Sequence, residues 1–253
     1  MVSKEKSTPG TLKKALRILE FVALDKHACT LSEISSALDI PKPTAYRLIN
    51  GLISNGYLLQ DKDKRFFLGY KLLILGGAVR QNSIIRKTAL PFLRKIQKLT
   101  NETVHLTVPD GNYGVYLEKL ESSNAVRLWT TVGAKLPLTV GASMRAILAF
   151  LPEKRREEII AKHNVKLTAS TLDKSQLRKA IEQTRKNGYA VSFGEADSDA
   201  AAIAAPILDN QGIALAAVSV AGPSNRFTSE KINRWIPEVK QCADDIKKAL
   251  FIK

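Results

Sequence analysis

Cysteine occurs only twice in the 253 residues, as Cys29 and Cys242, far apart in the chain. That excludes a disulfide framework and a paired-cysteine metal knuckle, and it fits a reducing cytoplasm. Histidine is nearly as scarce. His27, His105 and His163 have no Cys, Asp or Glu at ligand spacing, and no nucleophile motif accompanies them. No metal site, catalytic residue or cofactor is therefore expected. The glycines between positions 69 and 77, and between 133 and 141, lack the spacing of a nucleotide fingerprint. No apolar run reaches the roughly 18 residues needed to cross a bilayer, and the opening MVSKEKSTPG lacks the apolar centre of a signal peptide. The expectation is an intracellular, cytoplasmic protein, with residues 1–10 as a polar arm.

Acidic side chains are also short. Lys and Arg total 39 against 24 Asp and Glu, for a formal net charge of +15, which biases the chain towards anionic partners. The excess is denser in residues 1–90, which hold 15 basic and 7 acidic side chains. With 45% hydrophobic and 25% charged residues, the composition suits one or two globular domains.

What the chain does have is a patterned stretch from Leu31 to Leu68. Ile34, Ala37, Leu38 and Ile40 predict one short helix, and the spacing of Ala45, Leu48, Ile49 and Leu52 predicts a second. The turn between them is Asp39-Ile40-Pro41, and Asn55-Gly56 ends the second helix. Strands over Tyr57–Gln60 and Arg65–Leu68 flank the polar turn Asp61-Lys62-Asp63-Lys64. A preceding helix from Thr11, apolar at Leu12, Ala15, Leu16, Leu19 and Val22, supplies a floor. The sum is a winged helix-turn-helix. Lys42, Thr44, Tyr46, Arg47 and Asn50 fall on the outer face or N-terminal end of the second helix, with no acid among them, which suits reading of the DNA major groove. Lys62, Lys64 and Arg65 on the wing would lie beside phosphates.

Beyond Gly69, YKLLILGGAVRQN reads as a linker helix whose apolar Leu72, Leu73, Leu75 and Val79 need a partner, with Gly76-Gly77 as a hinge or a close-packing point. A helix from Ser83 to about Leu99 follows, with Pro91 as a kink. From Thr103 the pattern turns to strands: Val104–Val108, Val115–Leu120 and Val126–Val132. Helices over Met144–Phe150, Glu153–His163 and Ser175–Asn187 come next, then strands over Tyr189–Phe193, Ala201–Leu208 and Ile213–Val220, and a last helix from Thr228. The fold class is α+β, with helices covering a largely antiparallel sheet. The expected domains are residues 1–69, a linker helix over 70–82, and residues 83–253.

The segments LKKALRILEFV, LSEISSALDIPKPTAYRLINGLISNGYL, FFLGYKLLILG, NETVHLTV, VGAKLPLTVGASMRAILAFLP, NGYAVSFGE and IAAPILDNQGIALAAVSVAGP resemble the IclR family of bacterial transcriptional regulators. The resemblance implies a winged helix-turn-helix joined by a helix to a GAF-like effector-binding domain, assembled as a homodimer or homotetramer. It also implies an effector wall at Gly141, Ala142 and Ser143, at Ser192, at Ala200 and Ala202, and at Ser219 and Ala221. These small residues equally permit tight packing, but a buried hydroxyl at Ser219 needs a partner. His105 matches a histidine common in the family, and by itself reads as a surface or satisfied core residue.

Three departures from the family pattern stand out. Met144-Arg145 replaces Gly-Lys and would reshape the pocket mouth. Asp199 replaces a glycine and can adopt a left-handed backbone more readily than most residues. Ala221 replaces a frequent serine. The small alanines leave room for a bulky or weakly polar organic acid, with Arg145 or Arg127 as counter-charge. The function expected is transcriptional repression of a catabolic operon, by binding double-stranded operator DNA under control of a small-molecule effector. A basic module for RNA or protein partners, and an enzyme with a basic appendage, are the alternatives.

Overall fold

The computed structural model describes residues 10–24 and 28–251. The expected arm up to residue 9, and His27, lie outside the described residues. The chain divides into two compact units, Met1–Asn82 and Ser83–Lys253.

The first unit holds α1 (Gly10–Leu24), α2 (Leu31–Leu38), α3 (Lys42–Ser54), β1 (Leu58–Gln60), β2 (Phe66–Leu68) and α4 (Tyr70–Asn82). Thr30 starts α2 through a capping box: its hydroxyl accepts from the Glu33 N–H, and the Glu33 carboxylate accepts from the Thr30 N–H. Asp39, left-handed at φ 53°, ends α2, and the Ser35 hydroxyl donates to the Ile40 carbonyl at 2.7 Å, which fixes the turn into α3. One apolar stripe from each of the three helices meets the hairpin. Ile18, Ile34, Ala45, Ile49 and Leu58 are fully buried there, and each large one contributes about 1.5–3 kcal/mol relative to exposure. In the wing, the Asp61 carboxylate accepts from the N–H groups of Asp63 and Arg65 at 2.9 Å each, so the turn is rigid. Gly69 is required where the chain leaves the wing: a Cβ there would lie 2.1 Å from the Gly56 carbonyl oxygen.

The linker helix departs from its expected single stripe. No residue of α4 is buried, and exposed Leu73, Ile74, Leu75 and Val79 lie around it, so its apolar surface is broader than one seam. Within the chain, nothing approaches Gly76 or Gly77 within 4 Å of where a Cβ would stand.

The second unit holds α5 (Ile84–Thr100), β3 (Thr103–Asp110), β4 (Tyr113–Leu120), β5 (Lys135–Pro137), α6 (Ala142–Leu148), α7 (Glu153–Ala161), α8 (Lys174–Asn187), β6 (Ala190–Phe193), β7 (Ala200–Leu208), β8 (Ala214–Pro223) and α9 (Ser229–Phe251). The fold is α+β. Its antiparallel sheet has strand order β5-β4-β3-β8-β7-β6. Strand alternation separates two environments. Val104, Leu106, Ile203, Ile207, Val218 and Val220 form one core with α5 and α9. Ala204 and Ala217 join a second core with α6 and α8. α5 runs unbroken through Pro91.

The strand expected over Val126–Val132 is not formed; the edge strand is Lys135–Pro137 instead. Backbone groups of the loop are taken by side chains rather than by a ladder: the Val126 carbonyl accepts from Arg226 Nη1 at 2.9 Å, and the Thr130 carbonyl from Lys119 Nζ at 2.7 Å.

Candidate functional site

Two regions carry recognition chemistry. In the first unit, Ala45 and Ile49 turn inward, which leaves Lys42, Tyr46, Arg47 and Asn50 exposed and Thr44 half-buried on the opposite side of α3. The wing residues Lys62, Lys64 and Arg65 are exposed as well, and Arg65 donates to the Ala28 carbonyl at 3.1 Å, so its guanidinium is held near the base of the hairpin. The result is a helix of cationic and amide groups beside a basic β-turn, the geometry that places one helix in a groove and a wing on the sugar-phosphate backbone.

In the second unit, a cavity of about 320 Å³ opens on the sheet face opposite α5 and α9. Gly141, Ala142, Ser143, Ser192, Ala200, Ala202, Ser219 and Ala221 all line it. The register explains their meeting: Ala202 pairs with both Ser192 and Ala221, and Ser219 pairs with His105, so alternate residues of four strands share one face. The first turn of α6 closes the wall, with the Ala142 N–H donating to the Ser192 hydroxyl at 3.1 Å. Its size and mix of apolar wall with a few hydroxyls are those of a small-molecule site.

Neither arginine proposed as a counter-charge enters the cavity. Arg145 is buried and donates to both Glu195 carboxylate oxygens at 2.8 Å and to the Val191 carbonyl. Arg127 is exposed and paired with Glu121 at 3.3 Å. Met144 is buried beside Gly114, where a Cβ would lie 2.2 Å from its sulfur, so the Met144-Arg145 departure fills the core and does not reshape the mouth. The left-handed backbone open to Asp199 is not used there. Lys135 is among the residues lining the cavity, but its ammonium lies over the Tyr113 ring, 4.9 Å from the ring centre, and Tyr113 is not part of the wall.

Residues 11–62 match the IclR helix-turn-helix domain, and residues 77–248 match the domain described as bacterial transcriptional regulator IclR C-terminal. The chain belongs to the IclR family. Among curated relatives of this IclR-family chain, the HTH-type transcriptional regulator KipR of Bacillus subtilis is 34% identical over 242 residues, 95% of this chain and 96% of KipR. The HTH-type transcriptional repressor AllR of Escherichia coli is 31% identical over 245 residues, 96% and 90% of the two chains. The crystal structure of an IclR homologue from Microbacterium hydrocarbonoxydans complexed with 4-hydroxybenzoate is 27% identical, with a TM-score of 0.79 over 95% of this chain and 98% of that one. The protein is thus a DNA-binding transcriptional regulator of the helix-turn-helix type. Among the described residues no helix is long and apolar enough to cross a membrane, and no group of three or more His, Cys, Asp or Glu is placed to hold a metal ion.

Residue-by-residue reading of this IclR-family sequence missed His105, Tyr116, Trp129, Thr130 and Lys135 on the cavity wall. A signal existed for His105 alone, since alternation with apolar Val104 and Leu106 sends it to the face away from the main core. Its Nε2 lies 2.8 Å from the Thr130 hydroxyl, and its ring is 4.5 Å from that of Tyr116. Burial, reinforced by the Lys119 ammonium, lowers the His105 pKa to about 3, and burial also raises that of the Tyr116 phenol against the hydrogen bond from Ser143. His105 therefore stays neutral in the folded protein while it charges near pH 6.5 in the unfolded chain. Between those values the unfolded state binds the extra proton, so stability falls as pH drops, by about 1.4 kcal/mol per pH unit from this group. His105→Gln should flatten the dependence of urea-unfolding stability on pH from 6.5 to 5; an unchanged slope would show that His105 does not carry it.

Proposed function

We propose that this regulator represses a catabolic operon, and that a small organic acid bound in the second-unit cavity sets its affinity for operator DNA. The reading rests chiefly on one observation: a cavity of about 320 Å³ carries the two-sided wall of small residues and hydroxyls, Ser143 facing from α6 and Ser219 from β8. It is supported by the repressor named among the relatives and by the aromatic acid bound to a homologue. Ser143, Ser192 and Ser219 orient the ligand through their hydroxyls. Lys42, Thr44, Tyr46, Arg47 and Asn50 read the operator, with Lys62, Lys64 and Arg65 on phosphates. The exposed apolar residues of α4 favour a homodimer or homotetramer, which brings two reading helices to half-sites about one turn of DNA apart. The cell's cytoplasm is the place for such chemistry.

A ligand shifts operator affinity only through its differential affinity for two arrangements, typically about 1–3 kcal/mol or 5- to 150-fold, and DNA must shift ligand affinity by the same factor. Genomic fragments retained by the protein supply the operator. Calorimetric titration of benzoate, 4-hydroxybenzoate and short aliphatic acids, into free and operator-bound protein, then measures the coupling. Ser219→Ala should weaken binding by about 2- to 13-fold, the worth of one hydrogen bond. Equal ligand affinity with and without operator would reject control through this equilibrium, and unchanged affinity in the variant would place the ligand elsewhere.

A further inference from the structure

Trp129 is 91% exposed although it lines the cavity, the largest exposure of any big apolar side chain among the described residues. An indole carries about 150–250 Å² of surface that favours burial, so leaving it in water beside an apolar wall is unfavourable unless something covers it. The backbone around it is held on both sides. Arg226 fixes the Val126 carbonyl at 2.9 Å, and Thr130 is held through its carbonyl by Lys119 at 2.7 Å and through its hydroxyl by the buried His105 at 2.8 Å. Only Arg127, Leu128 and Trp129 lie between these anchors, and Arg127 is turned to Glu121. An indole moves about just two side-chain torsions, so it can change position without rearranging the backbone.

The rest of the cavity fits a flat guest. His105 and Tyr116 present rings 4.5 Å apart and inclined by 32°, while Ala200, Ala202 and Ala221 offer a wall without branches. We propose that Trp129 is the specificity-determining cap of this cavity: it stacks on a planar aromatic or heteroaromatic acid and, in doing so, selects it over saturated acids of the same size. This rests on the reading of the cavity as an effector site and narrows the ligand to molecules with a π face.

The test uses the full chain, whose two tryptophans are Trp129 and the buried Trp235, with excitation at the red edge of indole absorption. Benzoate, 4-hydroxybenzoate and nicotinate, each with a saturated counterpart, are titrated by fluorescence and by calorimetry into the parent, Trp129→Phe and Trp129→Ala. The expected result is a saturable blue shift with planar acids, and a preference of about tenfold for planar over saturated partners that Trp129→Phe keeps and Trp129→Ala loses. Because the side chain is exposed, Trp129→Ala should unfold at the parent temperature. The inference is overturned if Trp129→Ala retains the parent's preference, or if the emission shifts with protein concentration and not with any acid, which would assign the ring to a contact between copies. Binding of saturated acids as tightly as planar ones, still sensitive to Ser219→Ala, overturns the cap while leaving the effector reading intact. Absence of binding by every acid overturns both.

Discussion

Arg145→Met is expected to destabilise the second unit by about 3–5 kcal/mol, the cost of breaking one side of a buried ion pair. Both partners are nearly fully enclosed, with side-chain exposures of 4% for Arg145 and 6% for Glu195. The guanidinium does three things at once: it neutralises the Glu195 carboxylate, donates to both of its oxygens, and satisfies the Val191 carbonyl at the edge of the sheet. Glu195 in turn accepts from the Gly141 N–H at 3.0 Å, which fixes the entry into α6. Removing the arginine leaves an uncompensated carboxylate and an orphaned carbonyl, and methionine of similar length replaces only the volume. Urea unfolding of the parent, Arg145→Met, Glu195→Gln and the double variant closes a cycle. The double variant should regain much of the loss, because a neutral amide next to a thioether leaves no buried charge. A loss below about 1 kcal/mol in Arg145→Met would show that water reaches the pair.

The same pair marks where sequence reading ran out. Fifty residues separate Arg145 from Glu195, and no local period joins them, so the arginine read as free charge available to a ligand. The strand expected over Val126–Val132 failed for a related reason: alternation of side chains describes the residues, whereas the decision lay with carbonyl groups claimed by Arg226 and Lys119 from elsewhere in the chain. Short-range features were legible. The periods of α2 and α3, the turn at Asp39-Ile40-Pro41, and the Asn55-Gly56 stop each depend on residues within one or two turns of helix. The cavity lies between these cases. Its eight small wall residues were named through family resemblance, and composition would not have distinguished them from packing alanines and serines. Its rings, His105, Tyr116 and Trp129, come together only because β3 sits between β4 and β8 and the loop from β4 to β5 folds back over the sheet.

Arg47→Ala is expected to produce the largest functional loss with almost no change in folding. The side chain is exposed on α3, two positions from buried Ala45 and Ile49, so its removal should alter stability by no more than about 0.5 kcal/mol. A bidentate contact from an arginine to guanine O6 and N7 contributes about 1–3 kcal/mol of discrimination, and two half-sites would double the effect to roughly 2–6 kcal/mol in operator affinity. Salt separates the two chemistries open to a guanidinium. Loss of a phosphate contact weakens binding to all sequences alike and lowers the slope of log affinity against log salt by about 0.9 per contact. Loss of a base contact leaves that slope in place and relaxes preference at one position of each half-site. Arg47→Lys sharpens the distinction, because it keeps the charge and forfeits the planar fork: a phosphate contact would largely survive it, and a guanine contact would not. Parent-like affinity of Arg47→Ala across the whole salt titration would mean that α3 does not read the operator through this residue, and the wing with Lys62 and Lys64 would then have to carry the binding.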